Sequence, residues 1–127
     1  MATTILIVDD SKLARIVAGK AVAALQPDWQ RLEASHAEEA LARVAEGGID
    51  VVLMDFNMPG KDGLTLAAEL RALNPAMPLA VVTANVQEEV IARARAAQAS
   101  FIPKPVTEDG LRGFLSGAAL RLRATKA

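Results

Sequence analysis

The stretch Val51-Val52-Leu53-Met54-Asp55 is a run of four apolar residues that ends in a carboxylate. Three further short apolar runs also lead into polar residues: Ile5–Val8 before Asp9-Asp10, Leu79–Val82 before Thr83, and Phe101-Ile102 before Lys104. The stretches between successive runs are long enough to contain helices. Short apolar runs separated in this way are typical of buried parallel strands. The sequence therefore predicts an α/β fold in which polar side chains follow the carboxyl ends of the strands.

Five strands and five helices are predicted in alternation. The strands lie at about residues 4–9, 31–35, 50–55, 79–83 and 100–102, and the helices at about residues 11–25, 37–46, 64–73, 86–98 and 107–123. Ser11 is a suitable N-cap for the first helix, Gly47-Gly48 supplies a left-handed C-cap for the second, and Pro103 favours an edge position for the fifth strand. Five successive β-α units predict a doubly wound, five-stranded parallel sheet of the flavodoxin type, with strand order 2-1-3-4-5.

The composition limits the class of protein. The 127 residues suit one domain, the formal net charge of −1 argues against a broad nucleic-acid interface, and there is no cysteine for disulfides or thiolate metal sites. No apolar run is long enough to span a membrane or to form the core of a signal peptide. We therefore expect a single soluble, cytoplasmic domain over residues 1–127, with neither a nucleic-acid nor a membrane partner.

The polar residues at the strand ends are expected to meet at one edge of the sheet. In a doubly wound sheet the ligand crevice lies where the strand order reverses, which here is between the first and third strands. The carboxylates of Asp9, Asp10 and Asp55 would repel one another there without a cation, and Mg²⁺ prefers such oxygen ligands. Lys104 and Thr83 can bind phosphoryl oxygens. Because Asp55 ends the most buried strand, it is the best candidate nucleophile for Mg²⁺-dependent phosphoryl transfer.

Some residues outside this set carry expectations of their own. Gly110, Gly113 and Gly117 share one face of the fifth predicted helix, which favours close packing of that helix on the sheet. A loosely held helix and a smooth surface for a partner are the alternatives. Asp62-Gly63 is interpreted as a helix cap and turn, and His36, the only histidine, as a surface residue.

Four motifs, in order along the chain, resemble those of the receiver domains of two-component response regulators, especially the single-domain chemotaxis-type (CheY-like) members. They are Val8-Asp9-Asp10-Ser11 with Arg15, Met54-Asp55-Phe56-Asn57-Met58-Pro59-Gly60 with Asp62-Gly63, Val82-Thr83-Ala84, and Phe101-Ile102-Pro103-Lys104-Pro105. The resemblance covers essentially the whole chain. It implies a CheY-like fold and a signalling domain that catalyses only its own aspartyl phosphorylation and slow dephosphorylation, and is not otherwise an enzyme.

The resemblance implies a role for each residue of the metal and phosphoacceptor site. Asp55 matches the phosphoacceptor, which also contacts the metal. Asp10 matches the direct Mg²⁺ ligand, and Asp9 matches the acidic residue that holds metal-bound water. Asn57 occupies the position whose backbone carbonyl completes the metal shell.

The resemblance also implies which residues bind the phosphoryl group and respond to it. Lys104 matches the phosphate-binding lysine and Thr83 the switch hydroxyl. Ala84 is a small residue that leaves the phosphoryl group accessible, and Phe101 matches the aromatic whose ring turns inward on activation. The Lys104–Pro105 bond is often cis in this family.

Partners follow from the same resemblance. A histidine kinase or histidine phosphotransfer protein is expected to dock at Leu13, Ala14 and Val17 of the first helix and at the Lys104-Pro105 loop. A downstream protein is expected to bind the surface of helix four, strand five and helix five. Pro103, just before Lys104-Pro105, departs from the family pattern. It stiffens the loop and restricts how far Phe101 and the fifth strand can shift.

The role within signalling stays open at this point. A receiver domain without an output domain can be a diffusible messenger, a relay intermediate or a phosphate sink, and a fragment of a larger regulator is a further alternative. We expect a monomer, with dimerisation on activation left open.

Two other function classes are weighed against this one. Asp55-Phe56-Asn57 superficially resembles the nucleophile motif of haloacid-dehalogenase-type phosphatases, but those enzymes have a second aspartate where this chain has Asn57. A phosphorylation-independent binding module is disfavoured because Asp9, Asp10, Asp55, Thr83 and Lys104 are all present.

Overall fold

The computed structural model describes residues 3–58, 60–84 and 87–126, with side chains described as far as residue 123. Strands β1 to β5 are Thr4–Val8, Gln30–Ala34, Val51–Asp55, Leu79–Thr83 and Ser100–Pro103. Helices α1 to α5 are Lys12–Leu25, Ala37–Glu46, Gly63–Leu73, Glu88–Ala96 and Glu108–Lys126. Each predicted strand and helix is present, in the predicted order.

The strands form one parallel sheet in the order β2-β1-β3-β4-β5, which confirms the predicted doubly wound, flavodoxin-type topology. β1 and β3, between which the strand order reverses, are neighbours, with Val8 opposite Met54. Pro103 lies in the edge strand β5, opposite Thr83, as predicted. The carboxyl ends of β1, β3, β4 and β5 therefore meet at one edge of the sheet.

The core has two halves because successive side chains of a strand point to opposite faces of the sheet. Ile5, Ile7 and Leu53 belong to the half that α1 and α5 cover. Leu6 and Met54 belong to the half that α2, α3 and α4 cover. β1, β3 and β4 are buried along their whole length, as expected of parallel strands covered on both faces.

Side chains of the connecting loops cap the helices. The hydroxyl of Ser11 caps α1, and Oδ1 of Asp62 accepts a 2.7 Å hydrogen bond from the N–H of Thr65 in α3, so both predicted caps are confirmed. The imidazole Nδ1 of His36 accepts a 3.1 Å hydrogen bond from the N–H of Glu39. His36 is exposed, as predicted, and it is the N-cap residue of α2.

Most element bounds agree with the predicted ones to within one residue; the exceptions are both ends of α4, which differ by two residues, and the carboxyl end of α5, which differs by three. Helix α4 spans Glu88–Ala96 instead of residues 86–98; Val86, assigned to it from the sequence, lies outside the described residues. At the other end, Gln98 has a positive φ of 54°, which ends the helical backbone.

The guanidinium of Arg71 holds the end of α4 in place. Its Nε donates to the carbonyl of Ala97 at 3.1 Å, and its Nη2 donates to the carbonyl of Gln98 at 2.8 Å. Its Nη1 donates to carbonyls that follow α3, including that of Met77 at 2.6 Å. One side chain therefore binds carbonyl groups that follow the carboxyl ends of both α3 and α4.

Two of the three glycines of α5 do not make the predicted close contacts. A Cβ atom added at Gly113 or Gly117 would meet nothing within 4 Å, so the packing interpretation is wrong for these two residues. Gly47 and Gly48 have positive φ values of 89° and 90°, but the ψ of Gly47 is 168°. Gly47 therefore ends α2 in an extended, glycine-specific conformation and not in the predicted left-handed helical one.

Within the described part of the chain, no helix combines the length and the apolar character needed to cross a membrane.

Candidate functional site

Three carboxylates meet at the carboxyl edge of the sheet. Asp9 and Asp10 directly follow β1, and Asp55 is the last residue of the neighbouring strand β3. One carboxylate oxygen from each lies within 4.8 Å of the others. Asp55 is 3% exposed and Asp9 is 9% exposed, whereas Asp10 is open to solvent. The structure thus brings together the three acidic residues that the sequence placed at this edge.

Lys104 supplies a positive charge beside the most buried carboxylate. Its Nζ lies 2.6 Å from Oδ1 of Asp55, and the Lys104 side chain is 36% exposed. Apart from this ion pair, Oδ1 of Asp55 has no hydrogen-bond partner among the described residues. A carboxylate oxygen has two lone pairs, so Oδ1 of Asp55 can accept a further ligand beside Lys104.

The backbone on both sides holds Asp9 in place. Its N–H donates to the carbonyl of Ala34 at 3.1 Å, and its Oδ1 accepts from the N–H of Ser11 at 2.9 Å. Burial raises the pKa of Asp9, and the nearby charge of Asp55 adds to this effect. The Ser11 hydrogen bond and the Lys104 charge act in the opposite direction, without cancelling the rise in the pKa. The carboxylate cluster is therefore electrostatically unfavourable without additional positive charge.

A hard divalent cation such as Mg²⁺ fits this arrangement. The cluster offers only oxygen ligands, one of them the buried Oδ1 of Asp55, and its exposed side at Asp10 leaves room for the waters that Mg²⁺ retains. Asn57, whose carbonyl the resemblance assigns to the metal shell, lies two residues after Asp55 in an exposed loop.

The predicted switch residues lie on adjacent strands and on one face of the sheet. Thr83 ends β4 and is completely buried, and Phe101 in β5 pairs with Val81, two residues before Thr83. Phe101 packs against the half of the core that contains α4. Lys104 is connected to the same strand end, since its N–H donates to the carbonyl of Thr83 at 3.0 Å. The small, exposed Ala84 follows Thr83.

Gly63 has a steric role that the cap-and-turn interpretation missed. A Cβ atom at this position would overlap the backbone carbonyl oxygen of Asp55 and approach the Cα of Phe56 to 2.9 Å. The N–H of Gly63 also donates to the carbonyl of Phe56 at 2.8 Å. The start of α3 therefore passes so close to the candidate phosphoacceptor that only glycine fits without a shift of that backbone.

A cavity of about 290 Å³ opens beside Asp55, between α1 and the loop that begins α5. Leu13, Ala14 and Val17 line its α1 side, and Pro105 lines the opposite side, after a cis Lys104–Pro105 bond. The side chains of Leu13 and Val17 are 70% and 44% exposed, respectively. The cavity thus joins an exposed apolar surface to the buried carboxylate of Asp55.

Comparison with known proteins identifies the family. Residues 5–116 match the response regulator receiver domain family, and the chain therefore belongs to that family. Receiver domains act in two-component signalling, where they accept phosphoryl groups and bind Mg²⁺ at an acidic pocket. This confirms the resemblance to receiver domains that the four sequence motifs indicated.

Two relatives show where similar domains occur. Sensor histidine kinase RcsC of Salmonella typhi is 36% identical over 124 residues, which are 97% of this chain and 13% of that protein. Transcriptional regulatory protein ZraR of Salmonella typhimurium is 37% identical over 90 residues, which are 70% of this chain and 20% of that protein. The chain thus spans a small part of the length of these relatives.

Solved structures agree on the fold. A CheY-like receiver domain protein from Methanospirillum hungatei superposes with a TM-score of 0.87 at 24% identity, covering 98% of this chain and 99% of that one. The chemotaxis protein CheY4 of Vibrio cholerae superposes with a TM-score of 0.82 at 23% identity, covering 93% and 99% of the two chains. At these identities the comparison shows a shared CheY-like fold.

Proposed function

We propose that the chain is a phosphorylation-dependent switch of a two-component system, in which Asp55 accepts a phosphoryl group from a histidine kinase or a histidine phosphotransfer protein in the cytoplasm. The observation that carries the proposal is the state of Asp55. Its carboxylate is buried, clustered with Asp9 and Asp10, and 2.6 Å from the ammonium of Lys104. A nucleophile held between a fixed positive charge and carboxylates that can bind a cation has the positioning and charge stabilisation that phosphoryl transfer requires.

The transfer forms one bond and breaks another. A carboxylate oxygen of Asp55 attacks the phosphorus of a phosphohistidine, and the P–N bond breaks. The electron pair of that bond returns to the imidazole nitrogen, which takes up a proton from solvent. The products are an aspartyl phosphate and a neutral histidine. Lys104, already beside Asp55, is placed to pair with a phosphoryl oxygen once the charge of the carboxylate has been used in the new bond.

Asp9, Asp10, Asp55 and the backbone carbonyl of Asn57 would hold Mg²⁺. When bound there, Mg²⁺ would neutralise negative charge on the cluster and on the transferring phosphoryl oxygens. The roles of the protein groups are to hold the acceptor carboxylate, to orient it through the ends of β1 and β3, and to place Lys104 on its other side.

The phosphodonor is proposed to dock on α1 at Leu13, Ala14 and Val17 and on the Lys104-Pro105 loop. The support is the cavity beside Asp55, which is lined by these residues and leads to the acceptor. Leu13 is the most exposed large apolar side chain described, and an exposed apolar residue at the rim of a functional cavity indicates a protein-binding surface.

Truncating Leu13 tests this docking surface. Leu13→Ala is expected to lower kcat/KM for transfer from a phosphorylated histidine phosphotransfer protein by at least about fivefold, because truncating a central interface residue costs more than about 1 kcal/mol. Phosphorylation by acetyl phosphate, which needs no docking surface, is expected to stay unchanged. Leu73→Ala is the matched control, because Leu73 is also exposed but lies at the end of α3. Equal losses in the two variants, or none in Leu13→Ala, would contradict the proposed surface.

The output is proposed to be a change in the surface of α4, β5 and α5. An aspartyl phosphate adds negative charge beside Lys104 and Thr83, and both are expected to move toward it. Phe101 lies on the same face of the sheet as Thr83, on the neighbouring strand. Because Arg71 holds the carboxyl end of α4, the response is expected at its amino end, next to the Thr83–Ala84 loop. Such coupling typically amounts to about 1–3 kcal/mol.

Removing the hydroxyl of Thr83 separates uptake from response. Thr83→Ala is expected to retain phosphoryl uptake from acetyl phosphate, since the nucleophile and Lys104 are unchanged. It is expected to lose most of the phosphorylation-dependent shifts of α4 and β5 amides in two-dimensional NMR spectra. Thr65→Ala, which removes an exposed threonine from α3, serves as the control. A full set of shifts in phosphorylated Thr83→Ala, or normal transmission to a downstream target, would show that the switch assignment is wrong.

The family match favours this function over an aspartate-based phosphatase. For a receiver domain, the lifetime of the aspartyl phosphate and the identity of the target decide between the roles of diffusible messenger, relay intermediate and phosphate sink.

The experiment that tests the function itself is incubation with acetyl phosphate and Mg²⁺, followed by intact-mass measurement. One added phosphoryl group that disappears when EDTA replaces Mg²⁺ is expected, and no addition from any phosphodonor would contradict the proposal.

A further inference from the structure

Arg15 of α1 connects the segment that carries Asp9 and Asp10 to the edge strand β2. Its Nη1 donates to the backbone carbonyl of Asp9 at 2.6 Å, and its Nε donates to Oε1 of Glu33 at 2.7 Å. The Arg15 side chain is 15% exposed and that of Glu33 is 53% exposed. A guanidinium can donate to two acceptors in fixed directions at once, which a lysine ammonium cannot do in the same way.

The carbonyl that Arg15 binds belongs to the peptide link between Asp9 and Asp10. On the other side of Asp9, its N–H donates to the carbonyl of Ala34 in β2. The Asp9 side chain is held separately, by the N–H of Ser11. Arg15 therefore fixes the peptide plane from which the chain continues into Asp10, while other groups hold the rest of Asp9.

We propose that Arg15 is a positioning residue for the metal site, which sets the direction of the Asp9–Asp10 peptide and thereby the distance of the Asp10 carboxylate from Asp9 and Asp55. The inference rests on the proposed function, because it assigns Arg15 to the Mg²⁺ site of that function. Glu33 orients the guanidinium, and neither residue needs to contact the metal or the phosphoryl group. Residues that orient metal ligands in this way typically affect metal affinity by 10- to 100-fold.

A merely structural role for Arg15, as a brace between α1 and β2, would have a different signature. A brace would change the stability of the domain and leave the metal affinity of the folded protein unchanged. A positioning residue changes the metal affinity, and saturating metal restores the chemistry, because Arg15 contacts none of the reacting atoms.

The test compares Arg15→Ala, Arg15→Lys and Glu33→Gln with the wild type. In the metal-free proteins, NMR reports the chemical shifts and hydrogen exchange of the Asp10 and Ser11 amides, and urea unfolding reports stability. Calorimetric titration with MgCl₂ then gives the metal affinity, and acetyl phosphate uptake is followed as a function of Mg²⁺ concentration.

Arg15→Ala is expected to shift the Asp10 and Ser11 amides, to speed their exchange, and to weaken Mg²⁺ binding by about tenfold. Its uptake rate is expected to approach that of the wild type at saturating Mg²⁺. Arg15→Lys should recover part of the affinity, since its ammonium can reach only one of the two acceptors well. Glu33→Gln should stay within about twofold of the wild type, because an amide oxygen still accepts from Nε.

Mg²⁺ affinity within twofold of the wild type in folded Arg15→Ala would overturn the inference. If Arg15→Ala does not fold, Arg15→Lys decides, with about threefold weaker binding expected and wild-type binding contradicting the inference. A wild type that binds no Mg²⁺ would overturn the proposed function instead. The metal-free amides would then decide on Arg15 alone: displaced Asp10 and Ser11 amides in Arg15→Ala support its positioning role, and unchanged amides refute it.

Discussion

Asp55→Asn is expected to abolish phosphoryl uptake while the domain remains folded. Asparagine has almost the same shape as aspartate, so β3 and the cavity beside it should be preserved, but the amide is not a nucleophile toward phosphorus. The measurement is intact mass after incubation with acetyl phosphate and Mg²⁺. Thermal unfolding followed by circular dichroism shows whether the variant is folded.

The control is a second Asp→Asn substitution away from the cluster. Asp28→Asn changes an exposed loop residue and should take up phosphate like the wild type. Mass addition of the same extent to Asp55→Asn would mean that another residue accepts the phosphoryl group, and the assignment of Asp55 would be wrong.

Gly63→Ala is expected to have the second-largest effect, on both stability and phosphorylation. The added Cβ would overlap the backbone of Asp55 and Phe56, and neither can move without disturbing the end of β3. Inserting a methyl group into a well-packed site costs about 1–3 kcal/mol, and contact with rigid backbone places this case near 3 kcal/mol. Because the displaced carbonyl belongs to Asp55 itself, uptake from acetyl phosphate should also slow in the fraction that remains folded.

Gly113→Ala is the matched control, since it adds the same methyl group where nothing lies within 4 Å. Alanine is the better helix former, so this variant is expected to raise the free energy of unfolding by about 0.5–1 kcal/mol. Urea unfolding of the two variants gives the comparison. If Gly63→Ala were as stable as the wild type, the close approach of α3 to the phosphoacceptor backbone would not hold.

The apolar runs and the polar residues after them were sufficient to predict the sheet and the acidic cluster. A parallel sheet buried on both faces requires such runs, and the carboxyl ends of parallel strands necessarily share one edge. Asp9, Asp10 and Asp55 could therefore be placed together before any coordinates were known. The strand order followed from the alternation of strands and helices together with the flavodoxin-type topology.

The features that the sequence did not predict depend on contacts between distant segments. The carboxyl end of α4 is determined by Arg71, which is 26 residues before Ala97 in the chain. The need for glycine at position 63 depends on how closely α3 passes the end of β3. The glycines of α5 were assigned to packing because spacing alone does not show which face of that helix lies against the sheet. Arg15 was part of a motif, but its hydrogen bond to the Asp9 carbonyl is visible only in three dimensions.

The most direct test of the central claim is to locate the phosphoryl group. After phosphorylation with Mg²⁺ and acetyl phosphate, or by a phosphorylated histidine phosphotransfer protein, borohydride reduction converts an aspartyl phosphate to homoserine, which peptide mass spectrometry can assign to a position. We expect homoserine at position 55 alone, and none when EDTA replaces Mg²⁺. Homoserine at another aspartate, or at no position with either donor, would contradict the account.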